Sequence, residues 1–140
     1  MKTVYLFTSA LLLSGFLICG CANYSANMRS VLGTNISDLE KARSEGKTET
    51  FNLSYSEAFN KVRSILESNG QTIFEADMKK MVIVAMDFPR QVDTTRVGIF
   101  FEPVSETSTT ITLSSLSSTA LDKAASIIFP RLSRSANTIK

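Results

Sequence analysis

Residues 54–70, SYSEAFNKVRSILESNG, decide how the rest of this chain is read. Tyr55, Ala58, Phe59, Val62, Ile65 and Leu66 recur at the spacing of one helical face, while Lys61, Ser64 and Glu67 fall opposite. Ser54 and Glu57 stand at the separation of a capping box, in which each side chain satisfies the other residue's free backbone N–H. Asn69-Gly70 closes the segment, because glycine takes the left-handed conformation at little cost. A helix with one apolar stripe needs a surface to lie on.

The flanking sequence supplies that surface as strands. Glu49 to Leu53 alternates, with Phe51 and Leu53 on one side. Gln71 to Asp77 and Met81 to Phe88 read as two further strands joined near Met78-Lys79-Lys80, a basic pair suited to a solvated hairpin tip. Thr95 to Glu102 reads as the next strand, and Pro103 to Thr107 as a turn. Thr109 to Ser115 alternates again, rich in β-branched threonine that suits a pleated surface. Thr119 with Asp122 predicts the start of a final helix carrying Leu121, Ala124, Ala125, Ile128 and Leu132. Pro130 is expected to end or kink that helix, since proline removes a backbone donor and clashes with the preceding turn. The order strand, helix, four strands, helix predicts an α+β two-layer sandwich, a mainly antiparallel sheet with helices on one face, over residues 49–132. Residues 133–140 are a polar tail.

Ahead of the domain, Ala22 to Lys47 is polar and lacks a sustained apolar period. Ser37-Asp38-Leu39-Glu40 matches a second capping box, followed by a helical turn or two ending near Gly46. So short a helix is marginal alone, so it either docks on the domain or stands in solvent. Residues 21–48 are therefore read as a tether with a candidate short helix.

The first twenty residues are of a different kind. Lys2 provides a short basic start, and Val4 to Ile18 is an apolar run shorter than the ~20 residues needed to span hydrocarbon. The run leads into small residues, as a cleaved signal does. Ile18-Cys19-Gly20-Cys21 resembles the lipobox of bacterial lipoproteins: an aliphatic residue, a variable one, a small one, then the cysteine that receives lipid. The resemblance implies cleavage after Gly20, diacylglycerol on the Cys21 sulfur and a mature chain starting at that residue; an uncleaved N-terminal anchor and ordinary secretory cleavage without lipid stay open beside it. Two or more acyl chains hold a protein firmly at a membrane. Ala22 after the cysteine, in place of aspartate, implies sorting to the outer membrane in Gram-negative relatives, with the domain facing the periplasm. The order of elements behind the lipobox is also similar to that of small envelope lipoproteins, at the level of pattern over residues 49–132.

Composition narrows the function classes. Fifteen basic residues against thirteen acidic ones give a net charge of +2, too balanced to indicate nucleic acid as a partner. Cys19 leaves with the signal and Cys21 is used for lipid, so no thiol is left for a disulfide, a metal or a nucleophile. The chain has no histidine, the commonest general acid or base. It shows no Gly-x-Ser-x-Gly elbow, phosphate loop or zinc spacing. No catalytic residue, metal or cofactor is assigned, and the chain is not expected to be an enzyme.

One stretch departs from a simple sandwich. Met81-Val82-Ile83-Val84-Ala85-Met86 is apolar on both sides where a half-solvated strand should alternate. Two readings are open. Either the second face is covered by the tether or by loops, or Val82, Val84, Met86 and Phe100 form an exposed apolar patch for a partner, a second copy or a lipid chain. Among the charged residues, Glu75 and Asp77 share one side of a strand, and Asp87 and Asp93 bracket a loop; solvated carboxylates fit better than a calcium site. Arg90 and Arg96 flank the same loop and could meet an anion. The function expected is a non-catalytic lipoprotein, anchored through Cys21, that presents a small domain to another envelope component. The alternative is a carrier of a lipid or other hydrophobic small molecule.

Overall fold

The computed structural model describes residues 36–89 and 95–137. They form an α+β fold with one five-stranded, wholly antiparallel sheet; the two long helices lie on one face as expected, but a short helix at Ile36–Lys41 covers part of the other, so the helices are not confined to one face. In chain order the elements are α1 (Ile36–Lys41), a 3-10 turn (Ala42–Glu45), β1 (Lys47–Phe51), α2 (Tyr55–Ser68), β2 (Thr72–Asp77), β3 (Val82–Met86), β4 (Val97–Ser105), β5 (Ser108–Ser114) and α3 (Ser118–Asn137). The strand order is β1-β5-β4-β3-β2. Strands β2 to β5 follow one another as a meander, and α2 carries the chain from the β1 edge to the β2 edge.

Helix α2 forms as its capping box and apolar stripe require. The Glu57 carboxylate accepts hydrogen bonds from the Ser54 N–H at 3.1 Å and the Ser54 hydroxyl at 2.7 Å. At the other end Gly70 takes φ +75°, and the Gln71 N–H returns to the Leu66 carbonyl. Phe59 and Val62 of α2 and Ala124 and Ile128 of α3 join Ile99 and Ile111 of the sheet in one buried cluster. Each such large side chain taken from water stabilises the fold by about 1.5–3 kcal/mol.

Four local expectations need correction. Helix α1 already includes Ile36, so Ser37 lies inside it rather than capping it. The packing of Leu39 and Ile36, three residues apart, sets where this helix lies. The cap of α3 is Ser117, whose hydroxyl oxygen accepts from the Ala120 N–H at 3.3 Å, ahead of the expected Thr119. Helix α3 also runs through Pro130 to Asn137. Pro130 and Ser126, the residue whose carbonyl loses its helical donor, are both exposed, so solvent can take the donor's place. Pro103 lies within β4 opposite Thr109, beside a register shift between Pro103 and Ser105, and the expected turn shrinks to the residues after Ser105. An irregular position is where a strand tolerates a proline.

Candidate functional site

The sheet's second face holds the residues singled out from sequence, and it is not open. Val82, Val84 and Phe100 are buried, while Met86 is half-buried. The expectation of an exposed apolar patch is overturned at Val82, Val84 and Phe100 because α1 lies over them. Leu39, with no exposed surface, forms a second buried cluster with these three side chains, and Ile36 packs against it. The segment read as a tether therefore belongs to the folded domain from Ile36 onward.

Three residues that hold this cover in place went unmarked in the sequence. The Ser114 hydroxyl of β5 donates to the Leu39 carbonyl at 2.7 Å. The Arg43 guanidinium sits 4.6 Å from the centre of the Phe100 ring, a cation–π contact. Gly98 of β4 leaves the space that both neighbours use: a Cβ there would fall 2.7 Å from the Phe100 ring and 3.3 Å from Leu39 Cβ. A glycine inside a strand pattern was the available signal, since it marks close approach of another group.

At the β2–β3 hairpin the acidic pair has a structural partner. Lys80 Nζ lies 3.0 Å from Glu75 and 3.7 Å from Asp77. The Asp77 carboxylate also accepts from the Lys79 and Lys80 backbone N–H groups at 2.8 and 3.0 Å. The Lys80 backbone bond leads the causes that hold the Asp77 carboxyl below its usual range. The hydrogen bond to Glu75 raises the Lys80 ammonium. The Tyr55 hydroxyl donates to the Met78 carbonyl at 2.6 Å and ties α2 to the same hairpin. Its pKa is raised, first by burial and then by the Asp77 charge.

Arg96 is buried, with its guanidinium 3.9 Å from the centre of the Phe74 ring. Its candidate companions Arg90 and Asp93 lie outside the described residues, as does Cys21. Among the described residues no three His, Cys, Asp or Glu side chains are grouped to hold a metal ion.

A cleft of about 520 Å³ runs between the edge strand β1 and helix α3, and nothing in the sequence marked it. Lys47, Glu49, Asp122, Ser126 and Pro130 are among its lining residues. Lys47 Nζ lies 2.6 Å from Asp122 Oδ1 across it. Both side chains are about half-exposed or more, so this pair contributes little stability but sets where the ammonium sits.

No family model matches this chain, and comparison with curated proteins finds no similar sequence.

Proposed function

We propose that this chain is a non-catalytic bacterial lipoprotein, anchored by diacylglycerol on Cys21, whose α+β domain is presented on the periplasmic side of the envelope to another envelope component. The observation that carries the reading is the lipobox-like Ile18-Cys19-Gly20-Cys21 behind a short apolar run. Two or more acyl chains suffice to hold a protein at a membrane, so attachment asks nothing of the folded domain. Among the described residues no helix is long and apolar enough to cross a membrane. The segment between Cys21 and Ile36 is the only link the reading needs between the anchor and the domain.

Expression of the full chain with labelled fatty acid tests it. Label should enter the wild-type chain and be absent from Cys21→Ser, which should leave the membrane fraction. An unlabelled chain, or a Cys21→Ser variant that fractionates like the wild type, removes the anchor and the envelope placement with it. Crosslinking of the full chain in cells to one envelope protein would identify the partner. Lipid co-purifying in excess of the covalent anchor would replace the partner role with carriage of a hydrophobic molecule.

A further inference from the structure

The two edges of the sheet are not equivalent. Strand β2 is interrupted by a register shift between Ile73 and Glu75, which spoils it as a template. Strand β1 pairs with β5 in unbroken register from Lys47 to Phe51 and, among the described residues, has no strand on its other side. Such an edge presents a row of backbone N–H and C=O groups able to pair with another strand. We propose that β1 pairs antiparallel with β1 of a second copy of this chain, about a two-fold axis at Thr48, so that the sheet continues across a dimer.

The register follows from charge. Phe51 faces the helix-side core, so Glu49 and Lys47, at successive two-residue steps, lie on the same side of the strand. A two-fold axis perpendicular to the sheet keeps like faces together and must pass where one residue meets its own copy. Centring on Lys47 sets lysine against lysine, and centring on Glu49 sets glutamate against glutamate. Centring on Thr50 places Glu49 against Phe51 of the other copy. Centring on Thr48 places each Lys47 opposite Glu49 of the other copy and Thr48 opposite Thr48. Directly opposed unlike charges favour a strand pair and like charges oppose it. Charges on an edge usually deter pairing; here they oppose the registers centred on Lys47 and Glu49, and of the four only the one centred on Thr48 sets unlike charges opposite each other.

The cleft supports the same arrangement. Asp122 holds the Lys47 ammonium beside the edge at 2.6 Å. In the dimer that ammonium stands between Asp122 and Glu49 of the second copy. The space between β1 and α3 leaves room for the incoming side chain on the helix side. This self-association goes beyond the proposed anchored role and does not depend on it.

Sedimentation equilibrium of the full chain in detergent, over the micromolar range, tests the proposal. The wild type should be a dimer. Glu49→Lys and Lys47→Glu should each weaken dimerisation about tenfold or more, because two opposed pairs change sign at once. The double variant Lys47→Glu/Glu49→Lys, made in an Asp122→Asn background so that no carboxylate faces position 47, should restore it. Glu49 is exposed, so Glu49→Lys reads the interface without disturbing the core. Thr48→Cys, made in a Cys19→Ser/Cys21→Ser background, should gain a crosslinked dimer with a short thiol-reactive reagent that the cysteine-free background does not give. A monomeric wild type, a dimer indifferent to either single swap, or a folded double variant that stays as weak as the singles would each overturn the proposal.

Discussion

The Ser114 hydroxyl reaches back across the sequence to donate a 2.7 Å hydrogen bond to the Leu39 carbonyl, and the bond is buried. It joins the last strand of the sheet to a helix of only six residues that lies ahead of the first strand. A helix that short does not persist by its own hydrogen bonds. Leu39 seated over Val82, Val84 and Phe100 is what holds it, and in return the apolar face of the sheet is kept from water.

Leu39→Ala should therefore cost more than its place in a short peripheral helix suggests. Removing a fully buried leucine side chain leaves a cavity as well as lost burial, together about 2–4 kcal/mol. Urea unfolding should show the loss, and a dye that fluoresces on apolar surface should bind the folded variant more strongly than the wild type.

Gly98→Val probes the same cover from the sheet side. The first added carbon already meets the Phe100 ring at 2.7 Å, and Leu39 limits the other escape. Overpacking of this kind costs about 1–3 kcal/mol. Hydrogen exchange at residues 36–45 should speed up in the folded protein as α1 loosens. Unchanged exchange would mean that Phe100 alone takes up the strain.

Met81 stands at φ +54°, a left-handed conformation that non-glycine side chains avoid, and its side chain is exposed at the hairpin tip. Met81→Gly should stabilise the domain by about 0.5–1 kcal/mol, the relief of the left-handed conformation outweighing the extra freedom of the unfolded glycine. A raised melting temperature checks this.

The acid limb of the stability curve should contain a contribution from Glu57. Hydrogen bonds from the Ser54 hydroxyl, then the Ser54 backbone N–H, hold its carboxyl below the ordinary value of 4.5. The unfolded chain therefore binds the proton more readily than the folded one. The stabilisation is fully present above the unfolded pKa and is lost as pH falls through the folded pKa. Glu57→Gln should be less stable than wild type at neutral pH, and the difference should shrink below pH 4.5 in urea titrations at each pH.

Local segments were legible where the deciding interactions span a turn or less. The Ser54–Glu57 box, the apolar stripe through Leu66 and the left-handed Gly70 place α2 from sequence alone. The alternation from Thr109 places β5 the same way, with Ile111 and Leu113 in the core. Ends were harder. Ser117 and Thr119 both offer a hydroxyl, and only the chain's approach from β5 selects the first. Pro130 is expected to end or kink α3, and the helix does not end there but runs on to Asn137.

The sequence by itself determined the α+β class, the order of elements and the apolar faces, because periodicity and capping are properties of neighbouring residues. It also contained the anomaly of a strand apolar on both sides. Only the tertiary structure decided what that anomaly means, because the groups that close the second face, Leu39, Gly98, Phe100 and Ser114, are far apart in the chain and meet only after the sheet has formed. The pairing of Lys47 with Asp122 beside the β1 edge is of the same kind: two ordinary surface charges in sequence, made into one site by the packing of α3 against the first strand.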